Sequence, residues 1–425
     1  MNLLLRNATY IDWKTLDFSN KNIIVRPDDD NIQLIPLDDD GFVYPDTEVI
    51  DCTGKLVTKS FAVGHHHAYS ALARGMGSPK ISPRNFHEIL QYVWWNLDKK
   101  LDAELIEVSA LVTAMDCARN GSTFVIDHHA SPFAVSGSLG IIARAFEKVG
   151  VTHLLCYETS DRDGKVIAGE GLEETETWLK DHQALVGLHA SFTVSDETLE
   201  RAVDLMYKYN SGIHIHVAED NIDQEQSLSE HGKRVVERLS DAGVLSSAKS
   251  ILVHCLHLDD MERDLIRKSP AWVAENCESN LNNKVGYFNG AGLGDNIMLG
   301  TDGMHSDMLQ SLRAAFFAGQ QHDNISYVSA YRRFRNVHRY LNENGFRGDG
   351  DNNLVILDYD SPTPVTKENF IGHLLFGISS RHITDVISAG RLIVRERQIA
   401  TVDEDVILKE SGKLAVRLWD KISHH

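Results

Sequence analysis

The chain has 425 residues, 42% hydrophobic and 24% charged, a profile of a globular protein whose length calls for a large α/β barrel or two domains. Asp and Glu number 61 against 42 Lys and Arg, and the net charge of -19 repels phosphate backbones and anionic membranes, so neither nucleic acid nor a membrane surface is an expected partner. No apolar stretch approaches a membrane span, MNLLLRNATYIDWK is too short in apolar residues for a secretory leader, and Cys52, Cys117, Cys156, Cys255 and Cys277 form no C-x-x-C pair, so a reducing cytoplasm is the expected location.

Residues 1–56 read as short strands, NLLLRNATYI, NIIVRP, NIQLIPL and TEVIDCTG, separated by Asp, Asn and Gly clusters. From residue 57 apolar strands alternate with amphipathic helices: GSTFVIDHH, THLLCYET, ALVGLHASF, GIHIHVAED, SILVHCLHL, AWVAEN and NIMLGTDG are the strand candidates. Such alternation implies a parallel sheet, and its length suits a (β/α)8 TIM barrel over 57–346. After residue 347 the chain is again β-rich in NNLVILDYDSPTP and HITDVISAGRLIVRERQIATV, before a last helix. The expected fold class is therefore α/β, a TIM barrel with a small β-sandwich domain built from both chain ends, 1–56 plus 347–425. The closing pair His424 and His425 reads as the remnant of an expression tag and is set aside.

Side chains two apart on a strand share a face, so in VGHHHAYS His65 and His67 project together and His66 points away. An H-x-H pair at a strand end delivers two imidazoles to one ion, although any His-rich loop can imitate it. Its weight comes from the later strand ends: His216 and then Glu219 in GIHIHVAED, His254 in SILVHCLHL, and Asp302 in NIMLGTDG. Barrel enzymes draw their chemistry from the C-terminal ends of several strands. His214 shares the face of His216 but sits deeper and reads as a hydrogen-bonded core residue, His257 as a loop residue, and Cys255 as a small buried hydrophobe.

Further pocket candidates are weaker. Only one of the adjacent His128 and His129 can face inward, and we place His128 there. Trp94 and Trp95 belong to the helical QYVWWNLDKKLD, where packing competes with stacking on a planar ring; Trp95 is retained as a substrate contact. Asn280, Asn282 and Asn283 serve equally as turn residues or hydrogen-bond donors, and Arg74 as an anion site or a surface ion pair.

These residues, in this order, resemble the amidohydrolase superfamily, in the branch that includes guanine deaminase, triazine hydrolases and adenosine-derivative deaminases, over nearly the full chain. WWNLDKKLD, IDHHASP, HIHVAED, SNLNNKVGY, LGTDGMHSDM and DYDSPTP are similar in particular to the SsnA-type aminohydrolases. The resemblance implies that His65, His67, His216 and Asp302 bind one divalent metal ion, usually zinc and sometimes iron. It implies that His254 hydrogen-bonds the reacting centre, that Glu219 shuttles protons, and that His189 in GLHASFTVS contacts substrate. One departure is visible: Lys59-Ser60-Phe61 stands where the family has Pro-Gly before the histidine pair.

A metal ion lowers the pKa of bound water from 15.7 to about 7. Asp302 is then the natural base as water attacks an sp² carbon, and Glu219 the acid that protonates a departing amine or a ring nitrogen. This favours an aminohydrolase, a deaminase that releases ammonia from a heterocycle or amidine-like small molecule. Two alternatives are a cyclic-amide or chloro hydrolase on the same centre, and a non-catalytic accessory protein that keeps the metal for stability. Barrels with an added β-domain commonly self-associate, so a homo-oligomer is compatible with the sequence, which displays no interface.

Overall fold

The computed structural model describes residues 1–39 and 46–423; the pair His424 and His425 lies outside them. In chain order the strands are β1 (Asn2–Ile11), β2 (Phe18–Val25), β3 (Ile32–Ile35), β4 (Thr47–Asp51), β5 (Leu56–Lys59), β6 (Phe61–His66), β7 (Ser122–His129), β8 (Thr152–Tyr157), β9 (Val186–Ala190), β10 (Ile213–Val217), β11 (Ile251–His254), β12 (Trp272–Glu275), β13 (Ile297–Leu299), β14 (Leu354–Leu357), β15 (Ile383–Ser388), β16 (Arg391–Arg395) and β17 (Gln398–Ile399).

Strands β6 to β13 are parallel and lie in two sheets, β6-β7-β8 and β9-β10-β11-β12-β13. Between β8 and β9 run isolated parallel bridges, Leu155 to Ala184 and Thr159 to Leu188, and another joins His66 to Asp302 beyond β13. At this last seam the amides of Thr301 and Asp302 donate to the His65 carbonyl at 3.0 and 3.2 Å. Strands such as β9, β10 and β11 are buried at every residue, as expected where helices cover one face of a parallel sheet and side chains fill the other. The helix Asp196–Lys208 shows the local cause: Ser195 caps it by accepting from the Thr198 amide, and Leu199, Ala202, Val203 and Met206 put one apolar stripe inward. Because every strand runs the same way, their C-terminal ends open at one rim.

The two chain ends meet in one nine-stranded sheet ordered β17-β16-β15-β14-β5-β1-β2-β3, with β4 beside β1. Its central joint is the antiparallel pairing of β14 with β5, Leu354 opposite Lys59 and Leu357 opposite Leu56. Thus β5, at the expected boundary near residue 57, pairs with the terminal strands, and β6 starts after the single intervening residue Ser60. The Lys59-Ser60 junction is set by a polar network. Buried Lys59 reaches Asp349 at 3.1 Å, Arg335 Nη1 donates to the Ser60 carbonyl at 2.8 Å, and Ser60 Oγ meets Thr123 Oγ1 at 2.6 Å. Side-chain hydrogen bonds here do what a Pro-Gly turn does by backbone preference.

The closing helix, Glu404–Ser423, packs on the helix Ala103–Arg119; Arg417 donates to Asp102 at 2.8 Å and Trp419 Nε1 to the Leu72 carbonyl at 2.8 Å.

Candidate active site

The C-terminal ends of β6, β10, β11 and β13 bring His65, His67, His216, His254 and Asp302 together. His67 Nε2 stands 3.2 Å from both Asp302 Oδ1 and His216 Nε2, and His65 Nε2 is 3.8 Å from Asp302 Oδ1. His66 points away, to Ser306 Oγ at 3.0 Å, as strand alternation requires. The outer nitrogens are occupied: His67 Nδ1 donates to the His128 carbonyl and His216 Nδ1 to the His189 carbonyl, each at 2.6 Å, while His65 Nδ1 meets His214 Nε2 at 2.9 Å. Such bonds fix the tautomer and turn the Nε2 lone pairs inward, which is how proteins orient metal-binding imidazoles. His214 is therefore the buried orienting partner of His65.

A divalent ion fits these groups. His65 Nε2 is buried with no hydrogen-bond partner, a costly state that ligation would relieve. His65, His67 and Asp302 present ligand atoms all within 4.8 Å of one another, and so do His65, His216 and His254. Three imidazoles with one carboxylate form a nitrogen-rich set suited to zinc or iron, unlike the all-oxygen sets of calcium and magnesium. His67, His128, Glu158 and His216 form a further set. Each Nε2 lone pair serves one ion, so this set is an alternative to the first; Glu158 is already matched by His128, whereas His65 Nε2 has no other partner.

The proton-handling groups lie beside this cluster. His254 Nε2 is 3.4 Å from Glu219 Oε2 and 3.7 Å from Asp302 Oδ2. Its Nδ1 donates to Asn280 Oδ1 at 2.7 Å, so Nε2 accepts. Burial lowers His254 below the ordinary imidazole range, which keeps it neutral. Burial, reinforced by the Asp302 charge, pushes Glu219 well above the usual carboxylate range. Against its own burial, Asp302 is held well below that range by His67, His254 and His216. Two neighbouring carboxyl groups are thus pushed in opposite directions, the pattern that separates acid from base. The backbone around them is left-handed at Ala218, His254, Cys255 and Asp302, with φ of 47, 70, 55 and 52°.

A cavity opens on this cluster, lined by His67, His189, His216, Glu219, His254 and Asp302, with Phe86, Leu90, Trp94, Trp95, Phe192 and Ile222 among its apolar walls. QYVWWNLDKKLD is not one regular helix: helix Phe86–Ile89 passes through a π turn at Leu90–Trp94 into helix Trp95–Asp98. The extra residue of a π turn re-aims the side chains that follow, and both Trp94 and Trp95 line the cavity. His189 lines it too, its Nδ1 on Thr193 Oγ1 at 2.7 Å.

His128, expected to contact substrate, is instead absent from the described lining of the cavity. It is fully buried, Nε2 donating to the His214 carbonyl at 3.1 Å and Nδ1 facing Glu158 Oε2 at 3.1 Å. The residue that reaches the cavity from this side is Glu158, which the sequence reading passed over. Its signal was its position, just after the β8 strand in THLLCYET, at the same rim as the other groups. Burial opposes its charge, yet His189, His128 and His216 hold it well below the ordinary carboxylate range. Asn283 lines the cavity and donates to Glu219 Oε1 at 3.5 Å. Arg74 is exposed and pairs with Asp116 at 2.8 Å, and His257 Nε2 donates to the Val285 carbonyl at 2.6 Å.

Comparison with known proteins follows the same lines. The profile described as "Amidohydrolase family" matches residues 61–333, which contain every group of the cluster. A 5-methylthioadenosine/S-adenosylhomocysteine deaminase of Thermoanaerobacter pseudethanolicus is 26% identical, aligned over 98% of this chain and 99% of its own length. A 5'-deoxyadenosine deaminase of Methanopyrus kandleri is 27% identical over 83% of this chain and 84% of its own. Among solved structures, an adenosine deaminase from Xanthomonas campestris with bound zinc superposes with a TM-score of 0.81 at 18% identity, covering 98% of each chain, and the guanine deaminase of E. coli with 0.75 at 18% identity, covering 93% and 99%. Structural likeness at such identity speaks for the fold alone, of the α/β class. With more than half of its length matched by the family profile, the chain belongs to the amidohydrolase family.

Proposed function

We propose that this protein is a metal-dependent aminohydrolase that releases ammonia from an amino-substituted ring, with a purine nucleoside as the substrate class to test first. One observation carries the reading: the carboxyl groups of Asp302 and Glu219 lie on either side of His254, at 3.7 and 3.4 Å, with Glu219 pushed above and Asp302 held below the ordinary carboxylate range. Hydrolytic deamination needs one carboxylate to take a proton from water and one carboxylic acid to give a proton to the nitrogen, and this pair is poised for both. The adenosine-type deaminase names of full-length relatives support the substrate class.

His65, His67, His216 and Asp302 would hold one divalent ion, zinc by preference, in keeping with the zinc of the Xanthomonas campestris structure. Bound there, the ion would lower the pKa of water to about 7. Asp302 receives the proton as water adds to the amino-bearing carbon. Glu219 protonates the adjacent ring nitrogen, which draws electron density from that carbon; as the carbon–oxygen double bond forms, the hydroxyl proton of the adduct reloads Glu219 and the proton held by Asp302 leaves with the amine as ammonia. His254, fixed by Asn280, donates to or accepts from the new carbon–oxygen group according to its charge. Trp94, Trp95, Phe86 and Phe192 give a planar ring apolar walls and exclude water.

Within this reading the parallel sheets β6–β8 and β9–β13 close on each other through the bridges at both seams as one eight-stranded barrel over 57–346. The terminal sheet folds over as a small sandwich domain, 1–56 plus 347–425. Among the described residues no helix is long and apolar enough to cross a membrane. The five cysteines are buried and unpaired, which accords with a reducing cytoplasm.

The reading is tested by metal analysis of purified protein together with ammonia release from aminated purines, their nucleosides, pterins, pyrimidines and triazines. We expect about one metal ion per chain, and ammonia release that Asp302→Asn abolishes. A metal-replete protein that liberates chloride or opens a cyclic amide, with no ammonia from any amine, would replace this reading with the alternative hydrolase.

A further inference from the structure

The cavity is one-sided in charge. Among the described residues that line it there are histidines and carboxylates but no lysine or arginine. Arg162 stacks on Trp95 at 5.3 Å, but it does not line the cavity and is matched by Asp98 and by Asp163 at 3.4 Å. Of the acidic lining residues, Asp223 accepts from the amides of Ala218 and Phe192, Asp220 caps the helix Asn221–His231, and Asp302 and Glu219 have their places in the reaction. Glu158 remains. It stands at the end of β8, two strands round the rim from the β10 end that carries Glu219, and is 5% exposed. Its Oε2 meets His128 Nδ1 at 3.1 Å, while Oε1 is 3.8 Å from His189 Nε2, outside hydrogen-bonding distance. The rings of His189 and Trp95 lie edge to face beside it, 5.9 Å apart.

We propose that Glu158 is a substrate-binding residue that anchors a hydroxyl or ammonium group attached to the aminated ring, and that the pocket rejects ring compounds bearing phosphate or carboxylate. A largely buried carboxylate at the wall of a cavity accepts strongly from O–H or N⁺–H donors. A second anion beside Glu158 would be desolvated against that carboxylate, Asp220 and Asp223 with no lysine or arginine on the lining to meet it, since the charge of an ion held at the histidine cluster is shared with its own ligand Asp302. This inference rests on the aminohydrolase reading for its ring, but its test is separable. Ring and hydroxyl donors fit a neutral nucleoside; its phosphate ester does not fit.

The experiment measures binding to the metal-replete protein by calorimetry, for adenosine, 5'-amino-5'-deoxyadenosine and adenosine 5'-monophosphate, and for cytidine with the same two analogues; ammonia release is recorded separately. In at least one series the hydroxyl and ammonium members should bind tenfold or more tighter than the monophosphate. Glu158→Gln should weaken the ammonium member about tenfold and narrow the gap to the monophosphate. If Glu158→Gln does not fold, the wild-type ordering decides. A monophosphate that binds as tightly as its nucleoside, a Glu158→Gln protein in which the gap between the ammonium member and the monophosphate is unchanged, or no binding in either series overturns the proposal. The expected ordering without ammonia release leaves it standing and removes the aminohydrolase reading; equal ammonia release from nucleoside and monophosphate does the reverse.

Discussion

Ala218, His254 and Cys255 hold left-handed backbone that residues other than glycine, Asn and Asp seldom adopt, at a cost of about 1–3 kcal/mol each. The surroundings enforce it: Asp223 Oδ2 accepts from the Ala218 amide at 2.8 Å, and the Cys255 amide donates to the Val217 carbonyl at 2.9 Å. The chain leaves each strand in a tight curl that keeps His254 and Asp302 at the rim. Asn280 then governs which nitrogen of His254 faces Glu219. Asn280→Ala should lower kcat about 10- to 100-fold while KM and metal content change little, by analogy with the loss of orienting partners elsewhere; steady-state kinetics with metal analysis checks this, and an unchanged kcat would remove Asn280 from the site. Glu219→Gln should cost about 10²–10⁴ in kcat, the range for a lost proton-transfer group, with metal content intact. The sequence made the four proposed ligands and both proton-handling groups legible because each follows an apolar strand. It left Glu158 unread because a lone glutamate after a strand has no spacing partner, and His128 misplaced because alternation tells which faces differ but not which one meets the cavity.

At the scale of elements, the seam between β6 and β13 is tight. A Cβ on Gly300 would fall on Asn276 Oδ1 and within 2.9 Å of both the Cβ and the carbonyl oxygen of His65. Gly300→Ala should therefore push His65 off its position, with about 1–3 kcal/mol of destabilisation from overpacking and a lower metal content per chain; denaturant unfolding and metal analysis measure both. A variant with wild-type stability and metal content would mean the seam gives freely. The Lys59 junction makes a second test. Lys59→Met leaves Asp349 and the backbone carbonyls of Asp349 and Gly350 without their ammonium partner, and removing one member of a buried pair costs about 3–5 kcal/mol. The strand–helix alternation and the return of β character near residue 347 could be read from periodicity. The π turn at Leu90–Trp94 could not, since a helical pattern does not announce an inserted residue.

Across the whole molecule, buried titratable groups set opposing pH dependences. Burial depresses His66, His129 and His189 to about 3 and His153 to about 4, and holds His65, His214 and His216 well below the usual range. These rings are neutral when folded but protonated when unfolded below about 6.5, so their contribution is lost as pH falls. In the other direction, Asp127, Asp223 and Glu275 are raised by burial to about 7, and Asp302 with Glu158 raises His67 to about 9 despite its burial. Groups raised in the folded chain contribute fully below their unfolded pKa, and that stability fades as pH climbs through the folded value. With metal removed by a chelator, thermal unfolding should therefore show a maximum Tm near pH 6–7 and a decline on both sides; a Tm that rises steadily from pH 5 to 9 would contradict this balance.

The pairing of β5 with β14 also dictates an order of events during synthesis. A ribosome delivers β1 to β5 first, yet β5 lacks the neighbour on its open edge until Leu354–Leu357 has emerged. The Lys59 ammonium waits as long for Asp349. A nascent chain therefore carries its earliest strands with an exposed edge while some 290 further residues are added, and that edge is a template for unwanted pairing with other chains. The closing helix, which docks against Ala103–Arg119, arrives last. Losing the C-terminal fifth of the chain would thus expose the first-made strands as well as remove the last-made ones, and such truncations should aggregate.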